Sequence, residues 1–315
     1  TGRAAKRMSE ATLLPASTIH RFLKWNKDTN KFQVNEYHKS KVEFVIIDEA
    51  SMIDTELLAS LLKGISANCK VIMVGDAYQL PSVGPGQVLH DLIESKKLPV
   101  VELKELYRQG KDSNIISLAY DVRKGEVVDD VFNQDEDLTF IECDDKDVLS
   151  NLMDVSQTFK DLSYKKFQIL APMYKTIYGI DAINQKLQTI FNPKESSKKE
   201  LLVGDVIFRE GDKVIELSNM PEENIYNGDI GIISTIITQP VKKIIIDFDG
   251  NEVTFTSANF NKFRLAYTIS IHKAQGSEFD VVIMPLVQGY KKMLYRKLVY
   301  TGITRSKKML YLIGD

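Results

Sequence analysis

Apolar residues in this chain follow two rhythms, and the change between them divides it. Within residues 42–104, mostly apolar, strand-like runs at 42–47, 70–74 and 98–102 alternate with stretches at 54–65 and 86–95 that have helical character. A continuous apolar run between polar turns predicts a strand covered on both faces, and strands alternating with helices predict a parallel sheet. The alternation returns further on. Ile115, Ile116, Ala119 and Val122 place a helix over 112–124, with Asp112 or Ser113 as its N-cap. A strand at 138–142, a helix at 146–160, a strand at 166–171 and a helix at 178–191 follow. Residues 263–315 add strand, helix, strand, helix and strand, beginning with the apolar run Phe263 to Tyr267.

Residues 201–262 have the other rhythm. Short β-type runs (Val203 to Phe208, Lys213 to Glu216, Gly231 to Ile237, Lys243 to Phe248, Glu252 to Phe255) are separated by turns. Asn227-Gly228 and Asp249-Gly250 are strong turn signals among them. The pattern predicts an α/β chain of two parallel-sheet lobes with a small all-β insertion in the second. The first lobe takes 1–105, the second 106–200 and 263–315, and the insertion 201–262. Residues 22–41 interrupt the first lobe with Trp25, Phe32 and Tyr37 among polar neighbours, a pattern that suits a surface hairpin.

Composition adds little. The 315 residues suggest about two domains, and 43% hydrophobic content is ordinary for a globular protein. The formal net charge of −2 gives no support for a nucleic-acid partner. Basic residues cluster at Lys291-Lys292, Arg296-Lys297 and Arg305 to Lys308, but such clusters are usually solvated faces. Cys69 and Cys143 lack metal-ligand spacing and point to a reducing, cytoplasmic compartment. No apolar run is long enough to span a bilayer, so no membrane role is expected.

The chemistry lies where apolar runs stop. The run Val42 to Ile47 ends in Asp48-Glu49, and open parallel sheets bind ligands at the carboxyl ends of their strands. Taken alone, this pair is equally well read as helix capping, by Asp48 or Ser51, of a helix that starts near Asp54. Lys70 to Val74 ends in Gly75-Asp76, with Gln79 three residues on, which alone reads as a turn. The stiff loop Pro81 to Gly86 follows, with two glycines. The densest cluster is Thr268-Ile-Ser-Ile-His272-Lys-Ala-Gln275-Gly276-Ser-Glu278, rich in hydroxyl, amide and backbone N–H donors that suit a phosphate chain.

These segments, in this order, resemble the motifs of superfamily-one helicases. Leu106-Tyr107-Arg108-Gln109 and Val299-Tyr300-Thr301-Gly302-Ile303-Thr304-Arg305 match two more, and Thr1-Gly2-Arg3-Ala4-Ala5-Lys6-Arg7 and Ser17-Thr18-Ile19-His20-Arg21 look like the DNA-contacting segments of the first lobe. The match is closest to the RecD-like branch, the 5′-to-3′ DNA helicases related to the alpha subunit of exodeoxyribonuclease V, and it covers essentially the whole chain.

The resemblance implies two RecA-like lobes with the nucleotide between them, an SH3-like barrel at 201–262 and a fork-facing pin at 22–41. It implies ATP and Mg²⁺ as cofactors. Asp48 would hold Mg²⁺ through water, Glu49 would polarise the attacking water, and Gln79 would sense the γ-phosphate. Arg108 and Arg305 would stabilise transition-state charge, as an ever-ionised forked guanidinium can. Gly276 and Glu278 would also face the nucleotide. Thr1, Arg3, Thr18, His20, Thr268, His272 and Gln275 would contact DNA. Single-stranded DNA and single/double-strand junctions are the implied partners, with a nuclease or a further helicase subunit on another chain, since no separate cluster of spaced acids is present here.

One departure is large. The family's phosphate loop, G-x-x-x-x-G-K-[ST], is absent, and Gly110-Lys111 followed by Asp112 does not replace it. A fragment of a longer protein, inactive as an ATPase by itself, is therefore expected, with the first lobe incomplete. Two other readings stay open: the helicase part of a conjugative relaxase, and a non-enzymatic single-strand-binding or partner-docking module. The sequence upstream of Thr1 discriminates them, by a phosphate loop or a His-rich metal motif.

Overall fold

The computed structural model describes residues 2–26, 28–103, 113–126 and 137–315, the side chain of Arg3 excepted. The chain divides into two compact units, 1–105 and 106–315.

In the first unit, α1 (Gly2–Thr12) and the short α2 (Ile19–Phe22) precede a hairpin of β1 (Trp25–Asn26) and β2 (Lys31–Phe32). β3 (Phe44–Ile47), α3 (Thr55–Gly64), β4 (Lys70–Met73) and α4 (Val88–Glu94) follow. β3 and β4 pair in parallel, from Phe44 opposite Lys70 to Ile47 opposite Met73. Their inner face joins a core of Leu23, Ile47, Ala50, Ile53, Leu61, Ile65 and Leu89. Asp54 starts α3 by accepting a hydrogen bond from the Leu57 amide at 2.7 Å, the satisfied donor that an N-cap supplies. Gly84 lies so close to Asp54 that a Cβ there would sit 2.2 Å from the cap carboxylate, so the 81–86 loop packs directly on the start of α3.

Two expectations fail here. β3 is not covered on both faces: Phe44 and Ile46 are 50% and 54% exposed, and Ile72 on β4 and Val74 just after it are likewise open. The run at 98–102 forms no strand, and Leu98, Val100 and Val101 are exposed. A strand persists only with a neighbour to pair its N–H and C=O groups. Among the described residues of this unit, β3 and β4 pair only with each other.

The second unit opens with α5 (Asn114–Lys124), β5 (Leu138–Glu142), α6 (Asp145–Thr158), β6 (Phe167–Ala171) and α7 (Ile180–Phe191). Seven strands come next: β7 (Glu200–Val203), β8 (Val206–Arg209), β9 (Lys213–Glu216), β10 (Ile230–Ile237), β11 (Lys243–Phe248), β12 (Asn251–Thr256) and β13 (Phe263–Leu265). β14 (Thr268–Ser270), β15 (Phe279–Leu286), α8 (Arg296–Ile303) and β16 (Ser306–Gly314) complete it. The parallel sheet has the order β14-β6-β15-β16-β5, and every residue of β6 is buried within it. The antiparallel sheet has the order β12-β11-β10-β9-β13, and β7 and β8 form a separate hairpin.

Three local expectations change. The run Val203 to Phe208 is cut by a turn at Gly204, whose φ of +59° favours glycine, and becomes a hairpin. Phe263 to Leu265, read as lobe, pairs antiparallel with Lys213–Glu216 and belongs to the β domain. The helix expected after Ser270 is a single 3₁₀ turn, His272–Ala274.

Buried polar side chains fasten the β domain to the parallel sheet. Asp212 accepts hydrogen bonds from Gln188 (2.6 Å), Asn192 (2.7 Å), the Arg209 amide (2.6 Å) and the Tyr267 hydroxyl (2.9 Å). Burial pushes the Asp212 carboxyl up, against the pull of these four donors. Lys213 donates to the Phe167 carbonyl and to Gln168 Oε1, both at 2.9 Å, and the Gln168 amide reaches the carbonyls of Ala266 and Tyr267. Buried charges and amides persist only when partnered in this way.

Candidate functional site

The first unit gathers its predicted residues at the tips of β3 and β4. The Val74 amide donates to the Ile47 carbonyl (2.7 Å) and the Ala50 amide to the Val74 carbonyl (2.9 Å), so the two chains leave the sheet side by side. Gly75 makes this approach possible: a Cβ there would lie 2.9 Å from the Ala50 nitrogen and 3.1 Å from that of Ser51. Asp48 is exposed, and its Oδ1 accepts from the Glu49 amide at 2.8 Å. Glu49 has φ +54° and ψ +40°, a left-handed conformation uncommon for a side-chain-bearing residue. Such strain concentrates at functional sites. Asp54, not Asp48 or Ser51, caps α3, so the capping alternative for Asp48 is not the one the chain uses.

Gln79 stands over the same tips. Its amide donates to Asp76 Oδ2 at 3.4 Å, and its backbone N–H to the Asp76 carbonyl. Its own Oε1 is buried without a hydrogen-bond partner, and so is the hydroxyl of the neighbouring Ser51. Two orphaned polar atoms beside an exposed acid suit a polar ligand. Among the described residues no group of three or more His, Cys, Asp or Glu could hold a metal ion by itself. Mg²⁺ is usually bound through one or two carboxylates, water and substrate phosphates, and the exposed Asp48 carboxylate suits that mode.

In the same unit, Thr18 caps α2 by accepting from the Arg21 amide at 3.3 Å. His20 is exposed and its ring packs on the β1–β2 hairpin, with centroids 6.2 Å from Trp25 and 5.7 Å from Phe32. Thr1 and Arg108 lie outside the described residues, and Arg3 is described only in its backbone, within α1.

The second unit places Thr268, His272, Gln275, Gly276 and Glu278 on one continuous segment from β14 to β15. Thr268 is fully buried and its hydroxyl has no partner. His272 reaches solvent, yet burial of part of its ring lowers its pKa. Gln275 is buried, and Gly276 takes φ +71°, where glycine is favoured. Glu278 pairs with Lys307 at 3.3 Å. Arg305 comes back against this segment. It donates to the Ser277 carbonyl (3.2 Å), the Thr301 carbonyl (3.1 Å) and the Thr304 hydroxyl (3.2 Å), and the Phe279 amide donates to its carbonyl. The Ser277 hydroxyl, also fully buried, has no partner. Sequence reasoning took Ser51 only as a helix-cap candidate and gave no role to Ser277 or Asn184. Each is ordinary in its local pattern, and only its burial marks it.

Comparisons with known proteins follow the same order along the chain. Residues 1–146 match an AAA domain family, residues 183–248 the SH3 domain of ATP-dependent RecD-like DNA helicases, and residues 265–313 the C-terminal domain of UvrD-like helicases. The ATP-dependent RecD2 DNA helicase of Deinococcus radiodurans is 33% identical over 319 residues, which take in all of this chain and 42% of that protein. The RecBCD enzyme subunit RecD of Buchnera aphidicola subsp. Acyrthosiphon pisum is 25% identical across 95% of this chain and 58% of its own. The chain thus spans about half the length of these relatives. Among solved structures, a Pif1 helicase from Bacteroides in complex with ADP-AlF3 and single-stranded DNA has a TM-score of 0.56 at 18% identity, covering all of this chain and 81% of that one. The Candida albicans Pif1 helicase has a TM-score of 0.57 at 17% identity, over 99% and 82% of the two chains.

Parallel sheets with acids at their tips, and a small antiparallel β domain set into the second, define the class as superfamily-one helicases. Within that class the chain resembles the RecD-like family, in its small β domain and along its whole length.

Proposed function

We propose that the protein containing these residues is an ATP-driven DNA helicase that moves 5′ to 3′ along single-stranded DNA in repair or recombination. The observation that carries this reading is the strand-tip cluster of Asp48, Glu49 and Gln79, with the partnerless Ser51 hydroxyl and Gln79 Oε1 beside it. The 5′-to-3′ direction rests on the RecD-like family.

Each residue has a chemical task in this reading. Mg²⁺, when bound, would supply positive charge to neutralise the phosphates. Asp48, free of the helix cap, would hold that ion. Glu49, turned by its left-handed backbone, takes the proton of the attacking water. Gln79 senses the γ-phosphate through its side-chain N–H, its Oε1 being able only to accept from a donor such as the attacking water, and passes the change to the 81–86 loop. Arg305, fixed on the Ser277 carbonyl, is the group of the second unit assigned to phosphoryl charge, and Arg108 joins it on sequence alone. Thr18, His20, His272 and Gln275 take DNA, and Thr268, fully buried, supports the segment that carries the last two. Phosphate contacts of this kind give weak sequence preference and strong salt dependence.

The test is DNA-stimulated ATP hydrolysis by the whole protein. Glu49→Gln is expected to lower turnover by ~10²-fold or more, the usual worth of a positioned general base. Binding of a non-hydrolysable ATP analogue and of single-stranded DNA should persist. Wild-type turnover by the Glu49→Gln variant would remove the acid from the mechanism, and hydrolysis indifferent to DNA would overturn the helicase reading.

A further inference from the structure

Lys273 sits in the middle of the DNA-facing segment, between His272 and Gln275, where a lysine would ordinarily be read as a phosphate contact. Its geometry says otherwise. The Lys273 amide donates to the Ser270 hydroxyl at 3.2 Å, which ties the start of the turn to the end of β14. Its ammonium donates to Asn227 Oδ1, at the turn that leads into β10. That turn is braced. The Asn227 amide donates to Asn219 Oδ1 (3.0 Å), the Gly228 amide to the Glu216 carbonyl (2.9 Å), and the Tyr226 amide to Asp229 Oδ2 (2.8 Å). The buried Glu216 carboxylate attracts the Lys273 charge from the same side, and Arg264 repels it.

The other end of the segment is held as firmly. Asn184 on α7 donates to the carbonyls of Leu265 (3.1 Å) and Thr268 (3.0 Å) and accepts from the Thr268 amide (2.7 Å). Gln168 takes the two carbonyls between them. The chain from β13 to the 3₁₀ turn therefore leaves the β domain under one clamp and is tied back to it by Lys273. This is a closed ring of contacts within a single unit.

We propose that Lys273 is a positioning residue: together with Asn227 it latches the His272–Gln275 turn to the β domain, so that the two grip single-stranded DNA as one body. The inference rests on the DNA-binding reading above. In that arrangement Lys273 contributes through the placement of His272 and Gln275, and its charge neutralises no phosphate.

Salt dependence separates the two roles. Each phosphate neutralised by a cation releases condensed counterions, so loss of a phosphate contact lowers the slope of log affinity against log salt by about one. The whole protein is titrated with a fluorescent oligo-dT at several salt concentrations, as wild type, Lys273→Met, Asn227→Ala and the double variant, with thermal melts alongside. The latch predicts that each single change weakens binding by roughly fivefold or more. The slope should stay unchanged, and the double variant should be no weaker than the worse single one, since contacting residues are non-additive. Asn227→Asp, which still accepts the ammonium and suits an Asp-Gly turn, should retain wild-type affinity. A slope lower by about one in Lys273→Met, with Asn227→Ala binding like wild type, would make Lys273 a phosphate contact and overturn the latch. Loss of binding in Asn227→Asp equal to that in Asn227→Ala would overturn it also. A wild-type protein that does not bind the oligonucleotide would instead defeat the DNA-binding reading on which the latch depends.

Discussion

Asn184 holds Thr268 from both sides: its Oδ1 accepts from the Thr268 amide at 2.7 Å while its Nδ2 donates to the Thr268 carbonyl at 3.0 Å. The same Nδ2 reaches the Leu265 carbonyl at 3.1 Å, across the point where the chain passes from the antiparallel sheet to the parallel one. A single carboxamide on α7 thus fixes the entry to the Thr268–Glu278 segment. Few other side chains could replace it, because the position needs both a donor and an acceptor in one plane.

The first prediction follows from that requirement. Asn184→Leu fills a similar volume but removes both donor and acceptor, deep in the molecule. A buried polar group that loses its partner costs roughly 1–3 kcal/mol, and three backbone groups lose this one. The second unit should be destabilised by about 2 kcal/mol or more in urea unfolding. Asn184→Asp keeps the acceptor for the Thr268 amide but turns a carboxylate oxygen towards two carbonyls, and should be no better. A variant as stable as wild type would show that the clamp is incidental.

Glu216 gives a prediction in pH. It is fully buried at the end of β9, with Oε1 accepting from the Ser218 amide and hydroxyl and Oε2 unpartnered. Burial pushes its pKa up, with the Ser218 donors and the Lys262 charge pulling the other way. A carboxyl whose folded pKa is raised stabilises fully below its unfolded pKa, and that contribution is lost as pH rises through the folded value. Glu216→Gln removes the charge and should match wild-type stability near the lower end of the usual carboxylate range. It should become the more stable protein as pH climbs towards neutrality. Thermal melts across that window test this. A stability difference that is flat with pH would mean that Glu216 is not held in a raised state.

The lobe of the second unit was largely legible in its sequence. Leu138–Glu142 and Phe167–Ala171 are rich in apolar residues and form strands where those runs lie; β6, buried throughout, admits the polar Gln168 because its amide is partnered. Long-range pairing was not legible. Phe263–Leu265 is as apolar as a lobe strand, and only its partners Val214 and Ile215 assign it to the β domain. The run at 98–102 has β-type residues and no described partner strand, so composition alone overstated it. At the site, the paired acids after β3 were visible because an apolar run stops abruptly at Asp48. The orphaned hydroxyls of Ser51 and Ser277 were not, since a serine's burial depends on what packs over it.

The last prediction concerns the hairpin. β1 and β2 have only two residues each, so backbone pairing contributes little, and the aromatic rings supply the rest. Trp25 lies directly opposite Phe32, with ring centroids 4.7 Å apart in an edge-on arrangement, and His20 closes the cluster from α2. Trp25 nevertheless keeps 40% of its surface in solvent, which leaves part of a flat ring free to meet a base. Stacking of that kind is worth roughly 1–3 kcal/mol per base. If the hairpin separates strands at a fork, Trp25→Ala in the whole protein should slow unwinding of a duplex with a 5′ single-stranded tail, while DNA-stimulated ATP hydrolysis continues. Trp25→Phe keeps a ring against Phe32 and should recover much of the unwinding. Both activities are measured on the same substrate. Unwinding by Trp25→Ala at the wild-type rate would reduce the hairpin to a surface feature. Loss of hydrolysis together with unwinding would show instead that the ring cluster supports α2, and with it Thr18 and His20.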